Sequence, residues 1–317
     1  MIKLNHIVAT YTTVRGQVKA VDGVTLVIPD GIILGIAGES GCGKTTLMKV
    51  LYGDVRYPLG LKEGSIEYGF CDERGDEVTS ATIRDYWFKR ISYIPQSSMN
   101  SLNPVKRIRR QFTDFQTANV RRRKSDILED VKTYVKALGL PIETLDSYPH
   151  QLSGGMRQRI MVAMATFFQP DIILADEPTT ALDVVVQKGI LLLLMELQEE
   201  MRNTIVFVSH DIGVHRQITY KMLIMYAAKA VEYGDTDEIF EAPLHPYTRM
   251  LIESLPTIGS DHTRTGVSGR PPSLWDNLQG CRFAARCPLA TELCRMEEPD
   301  FKEYKPGHFA ACHYAGS

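Results

Sequence analysis

The sequence predicts an α/β fold built on a phosphate-binding loop, and three observations carry that reading. The apolar run 32–37 breaks into Gly38-Glu39-Ser40-Gly41-Cys42-Gly43-Lys44-Thr45-Thr46 and resumes as Leu47, Met48, Val50 and Leu51 at helical spacing, which is strand, loop, helix. Two further short β-branched runs, 172–177 and 204–209, are separated by an amphipathic helix around 187–201. Strands alternating with helices imply a mostly parallel sheet with both faces covered.

At 317 residues the chain fits one large domain plus an appendage. A hydrophobic share of 44% with 23% charged residues is that of a soluble globular protein. The net charge of −2 gives no global attraction to nucleic acid or anionic lipid. Residues 1–13 alternate like a strand and show no leader pattern, so a cytosolic location is expected. The longest apolar run, 190–195, is far short of the roughly 20 residues of a membrane span, so any membrane crossing falls to another subunit.

In chain order, residues 1–29 form two alternating segments around Arg15-Gly16-Gln17, an antiparallel hairpin. Tyr11 lies on it, either as a purine-stacking ring or as one more sheet aromatic. In the loop, Gly38, Gly41 and Gly43 let the backbone curl so that consecutive N–H groups face one concavity at a helix N-terminus. That cavity suits a polyphosphate, with Lys44 reaching the β and γ phosphates and the Thr45 hydroxyl on a bridging Mg²⁺. Cys42 reads as a small loop residue and Cys71 as a buried one.

A strand is expected at 64–69 and another at 91–96, ending on Gln96, which is placed to sense both Mg²⁺ and water. Between 100 and 149 the pattern turns helical, with Ile127, Val131, Tyr134, Val135 and Leu138 in phase before a Gly139 stop. The basic residues Arg107, Arg109, Arg110 and the run 121–124 fall here. Without interleaved aromatics they read as a solvated face, not a nucleic-acid groove. Leu152-Ser153-Gly154-Gly155-Met156-Arg157-Gln158 opens a second helix with a hydroxyl and free N–H groups. One nucleotide per chain leaves no phosphate for it, so it is expected to cap the γ phosphate held by another subunit.

Asp176 ends an apolar strand, at the sheet edge where a carboxylate can hold Mg²⁺ through water. Glu177 follows, positioned to deprotonate the attacking water, and His210, just past the 204–209 strand, to position it. A last hairpin is expected through 221–226 and 229–234, and 256–272 has linker chemistry.

The order and spacing of these motifs resemble the ABC-type ATPases, the nucleotide-binding subunits of ATP-binding-cassette transporters, over about residues 1–255. Gly38 to Thr45 is similar to Walker A, Gln96 to the Q-loop, Leu152 to Gln158 to the signature motif, and Ile172 to Glu177 to Walker B with its catalytic glutamate. Thr179 to Asp183 resembles the D-loop, His210 the switch histidine and Tyr11 the A-loop. The resemblance implies a P-loop NTPase fold with an antiparallel β subdomain and a helical subdomain at about 97–165. It implies ATP contacts from Tyr11, Glu39, Ser40, Cys42, Thr46, Ser153, Gly154, Gly155, Gln158 and Asp183 besides the residues above. Lys44, Gln96, Glu177 and His210 take catalytic roles, and Mg²⁺ sits at Thr45, Gln96 and Asp176.

Ser97 to Pro104, Val231 to Gly234, His245 to Thr248 and the tail narrow the resemblance to the oligopeptide/dipeptide importers, whose related members carry oligosaccharides or nickel. Small departures are Ala228, where glycine is usual, and His215-Arg216. The resemblance implies a second ATPase subunit, identical or not, two transmembrane permease subunits, an extracellular solute-binding protein, and work at the cytoplasmic face of the membrane without nucleic acid. The alternatives are an ABC ATPase of DNA repair or chromosome maintenance and an iron-sulfur redox-sensing regulator.

Six cysteines in a cytosolic chain argue against a disulfide framework, and four crowd the tail, residues 256–317, as Cys281-x5-Cys287-x6-Cys294-x17-Cys312. Four thiols suit tetrahedral zinc or an iron-sulfur cluster. The wide spacing favours a 4Fe-4S cluster over zinc or free thiols, and the importer resemblance implies the same. His308 and His313 flank the last cysteine as substitute ligands.

Overall fold

The computed structural model describes residues 1–96, 101–117, 123–180, 182–255, 268–276 and 278–316. Of the sequence features above, Ser97 to Asn100, Arg121, Arg122, Ala181 and residues 256–267 lie outside the described residues. The chain divides into two compact units, one of residues 1–84 with 206–317 and one of residues 85–205.

The first unit opens with the expected hairpin, β1 (Ile2–Thr13) and β2 (Gly16–Ile28), with Leu4 opposite Leu26 and Ile7 opposite Val24. Val24, Leu26 and Ile28 are buried while Thr25 and Val27 face out, the period-2 pattern that fixes which face meets the core. β3 (Ile33–Ala37) is buried at all five positions, as a central strand of a parallel sheet should be. α1 (Lys44–Tyr52) follows the loop and buries Leu47, Met48, Val50 and Leu51. β4 (Leu59–Cys71), longer than the sequence suggested, pairs with the other edge of β1, and β5 (Glu77–Thr79) completes a four-stranded sheet of order β2-β1-β4-β5. Cys71 corrects an expectation: it ends β4 exposed, not buried.

In the second unit β6 (Ile91–Ile94) pairs parallel with β7 (Ile172–Asp176), Ile91 opposite Ile172. Its helices are α2 (Ile108–Thr117), α3 (Lys124–Ala137), α4 (Gly154–Thr166) and α5 (Val184–Met201). The predicted stripe of Ile127, Val131, Val135 and Leu138 is buried, and Gly139, at φ 71°, ends the helix. Tyr134 donates its hydroxyl hydrogen to Thr166 Oγ1 (2.7 Å), tying α3 to α4. Arg109 pairs with Asp146 (2.7 Å), Arg123 with Asp126 (3.1 Å), and Arg107 lies over the Tyr148 ring. These charges form a solvated face.

β8 (Thr204–Val208) runs across the division, and α6 (Ile212–Ile218), β9 (Lys221–Tyr226), β10 (Lys229–Asp235), α7 (Thr236–Glu241) and α8 (Pro246–Glu253) return to the first unit. The last described elements are α9 (Glu292–Met296), β11 (Phe301–Lys305) and β12 (His308–Ala311). The first unit's second sheet runs β11-β12-β10-β9-β3-β8. β9 and β10 are the predicted hairpin, and Ala227 and Ala228 both turn it at positive φ. The β11–β12 hairpin was not expected from the sequence. It extends the sheet by pairing Ala310 with Glu232.

Candidate functional site

The phosphate loop starts where β3 ends. Gly38 (φ 146°) has no room for a side chain, because a Cβ there would lie 2.1 Å from the Met225 carbonyl oxygen. Gly43 (φ 109°) is equally confined, with Ala20 oxygen 2.1 Å from an added Cβ. Gly43 is also the N-cap of α1 and supplies no side-chain acceptor, so the first N–H groups of that helix have no capping side chain. Lys44 is buried and its ammonium donates to the carbonyls of Gly38 (2.7 Å) and Glu39 (3.0 Å). A helix start without a capping side chain, next to a lysine, favours an anion.

Thr45 is half-buried. The Thr46 hydroxyl donates to Tyr11 Oη (3.4 Å), which brings the predicted A-loop ring to the first turn of α1. Burial pushes the Cys42 thiol up, partly offset by Lys44, so Cys42 fits the expected inert loop residue. Beneath β3 lies His215, whose Nδ1 would be 2.5 Å from a Cβ on Gly35. Burial lowers its pKa to about 4 and the ring stays neutral against the Ser209 carbonyl (3.2 Å). His210 follows β8 in the first unit and is exposed. Ser40 and Gly41 lie within the loop, and a Cβ on Gly41 would meet nothing within 4 Å.

In the second unit Asp176 is fully buried at the end of β7, and its Oδ2 accepts from the Tyr93 hydroxyl (2.9 Å). Glu177 stands at φ 48°, a left-handed position that a glutamate adopts only under constraint. Its Oε2 accepts from Gln96 Nε2 (3.1 Å) and from the Thr180 hydroxyl (2.9 Å). Gln96 and Glu177, far apart in sequence, are thus brought together. Ser153 caps α4 by accepting from the Met156 N–H (3.3 Å), and Asp183 caps α5 by accepting from Val185 and Val186 (3.1 and 2.9 Å). Gly154 opens α4, Gln158 is buried, and a Cβ on Gly155 would lie 2.7 Å from Val186.

The four tail thiols, Cys281, Cys287, Cys294 and Cys312, line one small cavity with His245, Phe283 and Leu289. Burial pushes Cys281 up to about 11, the neighbouring thiols adding to it, and raises Cys287 and Cys312 as well. The thiols converge, yet among the described residues no three His, Cys, Asp or Glu side chains stand at metal-holding spacing. His308 turns elsewhere, with its Nε2 2.8 Å from Glu232 in the core, whereas His313 lines the same cavity while its Nε2 lies 3.0 Å from the Glu297 carbonyl. A separate cavity of about 560 Å³, lined by Leu26, Tyr233, Phe283 and Phe309, contains none of the loop residues.

The sequence reading passed over Arg286 and named Tyr247 only within the segment 245–248, without foreseeing that the two hold Glu39 from 247 and 208 residues away.

Residues 21–180 match the ABC transporter family, and residues 231–294 match the oligopeptide/dipeptide transporter C-terminal region. The chain is 35% identical to the dipeptide transport ATP-binding protein DppD of Caldanaerobacter subterraneus, over 99% of this chain and 96% of that protein. It is 36% identical to DppD of Escherichia coli, over 93% and 91%. A dimeric ATP-binding cassette in a post-hydrolysis state, bound to ADP and Pi, superposes with TM-score 0.62 at 26% identity, covering 74% of this chain and 99% of the cassette. Among the described residues no helix is long and apolar enough to cross a membrane. The chain belongs to the ABC transporter family, as one of its ATP-binding, ATP-hydrolysing subunits.

Proposed function

We propose that the chain powers the import of di- or oligopeptides from the cytoplasmic face of a membrane, paired with a second ABC ATPase and two permease subunits and fed by a solute-binding protein. The observation that carries the energetic part is the Lys44 ammonium, held on the loop carbonyls of Gly38 and Glu39 at a helix start that has no capping side chain. The cargo class is supported by the match of residues 231–294 and by the names of full-length relatives. Those relatives are transport proteins, which favours neither DNA repair nor a redox-sensing regulator.

In this reading Lys44 gives up its two carbonyls for the β and γ phosphates, the loop N–H groups take the remaining oxygens, and Tyr11 offers its ring to the base. Thr45, Gln96 and Asp176 are the residues that would hold Mg²⁺, and the ion would supply charge neutralisation on the phosphates. Glu177 leaves Gln96 and Thr180 to accept the proton of the attacking water, and His210 orients that water. Ser153, Gly154, Gly155 and Gln158, with Asp183, complete the site of a partner chain. ATP then joins two chains, and its hydrolysis releases them.

The functional division is residues 1–255 as the nucleotide-binding domain, with a helical subdomain at about 97–165 that receives the permease, and 256–317 as a linker and cysteine-rich extension. Its four thiols match a 4Fe-4S cluster in donor type and line one cavity, which supports the reading, although among the described residues they do not stand at metal-holding spacing. The cluster would be structural or regulatory, and no step of hydrolysis passes through it. Anaerobically purified protein should contain iron and acid-labile sulfide, about four of each per chain. Stoichiometric zinc, or no metal, rejects the cluster.

The function itself is tested in cells. Removing the chain should abolish uptake of labelled di- or oligopeptides, and the wild-type chain should restore it while Glu177→Gln does not. Unaltered peptide uptake would remove the cargo assignment.

A further inference from the structure

The segment 281–287 carries two arginines, and both reach from the tail to the surroundings of the phosphate loop. Arg286 grips Glu39 with both arms of its guanidinium, Nη1 to Oε2 at 2.7 Å and Nη2 to Oε1 at 2.8 Å. It also donates to the Tyr226 hydroxyl (3.1 Å) and, through Nε, to the Ser268 carbonyl (2.8 Å). Its side chain is only 5% exposed and lies against the Phe283 ring. Tyr247 packs on both Tyr226 and Phe283, and its hydroxyl accepts the Glu39 N–H (2.9 Å). Arg282 donates to the Ala227 carbonyl and to Asp22, and the neighbouring Ala228 N–H donates to the Cys42 carbonyl (2.9 Å).

Glu39 is therefore fixed at its carboxylate and at its N–H, both from outside the loop. A bidentate carboxylate–guanidinium pair this buried is directional and leaves a costly unpaired charge when one partner is removed. The freed carboxylate has an obvious alternative. The Lys44 ammonium sits 3.0 Å from the backbone oxygen of the same residue. A carboxylate bound to Lys44 would compete with a polyphosphate for it and add repulsion beside the phosphates.

We propose that Arg286 is a positioning residue for the phosphate loop: it holds the Glu39 carboxylate away from Lys44, and so ties nucleotide affinity to the order of the cysteine-bearing segment. This rests on the assignment of the loop as the ATP site. The pairing requires no assumption about what the thiols bind, because every contact is made by the chain's own atoms.

The test measures MgATP affinity of the full chain by titration, with circular dichroism to verify folding. Arg286→Gln should weaken binding about tenfold, the scale of one lost charge-assisted contact near an anion. The double variant Glu39→Gln/Arg286→Gln should recover most of that loss, since it removes the stray carboxylate as well. Arg286→Lys, which keeps the charge and loses the fork, should fall between wild type and Arg286→Gln, and it carries the comparison if Arg286→Gln does not fold. Binding by Arg286→Gln within about twofold of wild type would overturn the proposal. A folded double variant binding no better than Arg286→Gln would also overturn it, because simple loss of packing is not rescued by neutralising Glu39. Lys44→Ala separates the two claims. If it loses ATP while Arg286→Gln does not, only the positioning role fails; if it binds ATP as wild type does, the nucleotide site itself is misassigned and the positioning role falls with it.

Discussion

The starts of α1 and α4 are both glycine-rich helix N-termini, and they are finished differently. At α1 the N-cap is Gly43, with no side-chain acceptor, and the nearest cation, Lys44, is folded back on the loop's own carbonyls. At α4 the N-cap is Ser153, whose hydroxyl already accepts the Met156 N–H. A helix start without a capping side chain and with a lysine in its first turn attracts an anion by itself, whereas a start satisfied by serine has only part of its N–H groups and a hydroxyl to offer. The difference teaches why the first can be the principal phosphate site and the second an accessory that closes over a phosphate held elsewhere.

The comparison breaks most sharply at Gly43. Gly43→Ala places a Cβ against the Ala20 carbonyl at a positive φ, and should cost at least about 2 kcal/mol of stability and abolish measurable ATP binding. Thermal unfolding and nucleotide titration of that variant read both effects, and wild-type affinity would show that the α1 start is not the phosphate site. Ser153→Ala should act more mildly on the single chain, at about 1 kcal/mol of stability from the lost cap, with ATP affinity retained and turnover reduced. Loss of ATP affinity in Ser153→Ala would place both helix starts on the same nucleotide.

Acidification sharpens the picture from the first unit, where burial holds His215 and His245 neutral with pKa values lowered to about 4. An unfolded histidine titrates near 6.5, so between pH 6.5 and 4 the unfolded chain binds more protons than the folded one. Stability is therefore full above pH 6.5 and falls as pH drops through that window, by up to about 3 kcal/mol for each ring. Melting temperatures measured across the window should decline. His245→Asn, which keeps an acceptor for the Tyr247 N–H, should flatten the decline, and an unchanged slope would contradict this source.

Much of this was legible in the sequence because it is local. The phosphate loop, the alternation along β1 and β2, the in-phase apolar positions of α3 and the strand ending in Asp176 and Glu177 are all written in contiguous residues. Asp183 ahead of three valines could have been read as a helix cap as well as a D-loop residue. What escaped is long-range. Phe301-Lys-Glu-Tyr-Lys is mostly exposed and has no strong strand signature, and β12 beside it is placed by pairing with β10 across the sheet edge. Arg286 reads as an ordinary basic residue until the fold sets it on Glu39. His308 next to Cys312 invites a ligand role, and burial beside Glu232 gives it another.

In the proposed dimer, Ser153 of one chain closes over the nucleotide held by the phosphate loop of another. The most direct test of that closure is the mass of the Glu177→Gln chain, alone and mixed with its partner ATPase, with and without MgATP by light scattering. MgATP should raise the mass to that of two cassettes, and adding Ser153→Arg to the same chain should prevent the rise while leaving ATP bound. A mass of one cassette under every nucleotide condition, or the same rise with Ser153→Arg, would contradict the closure.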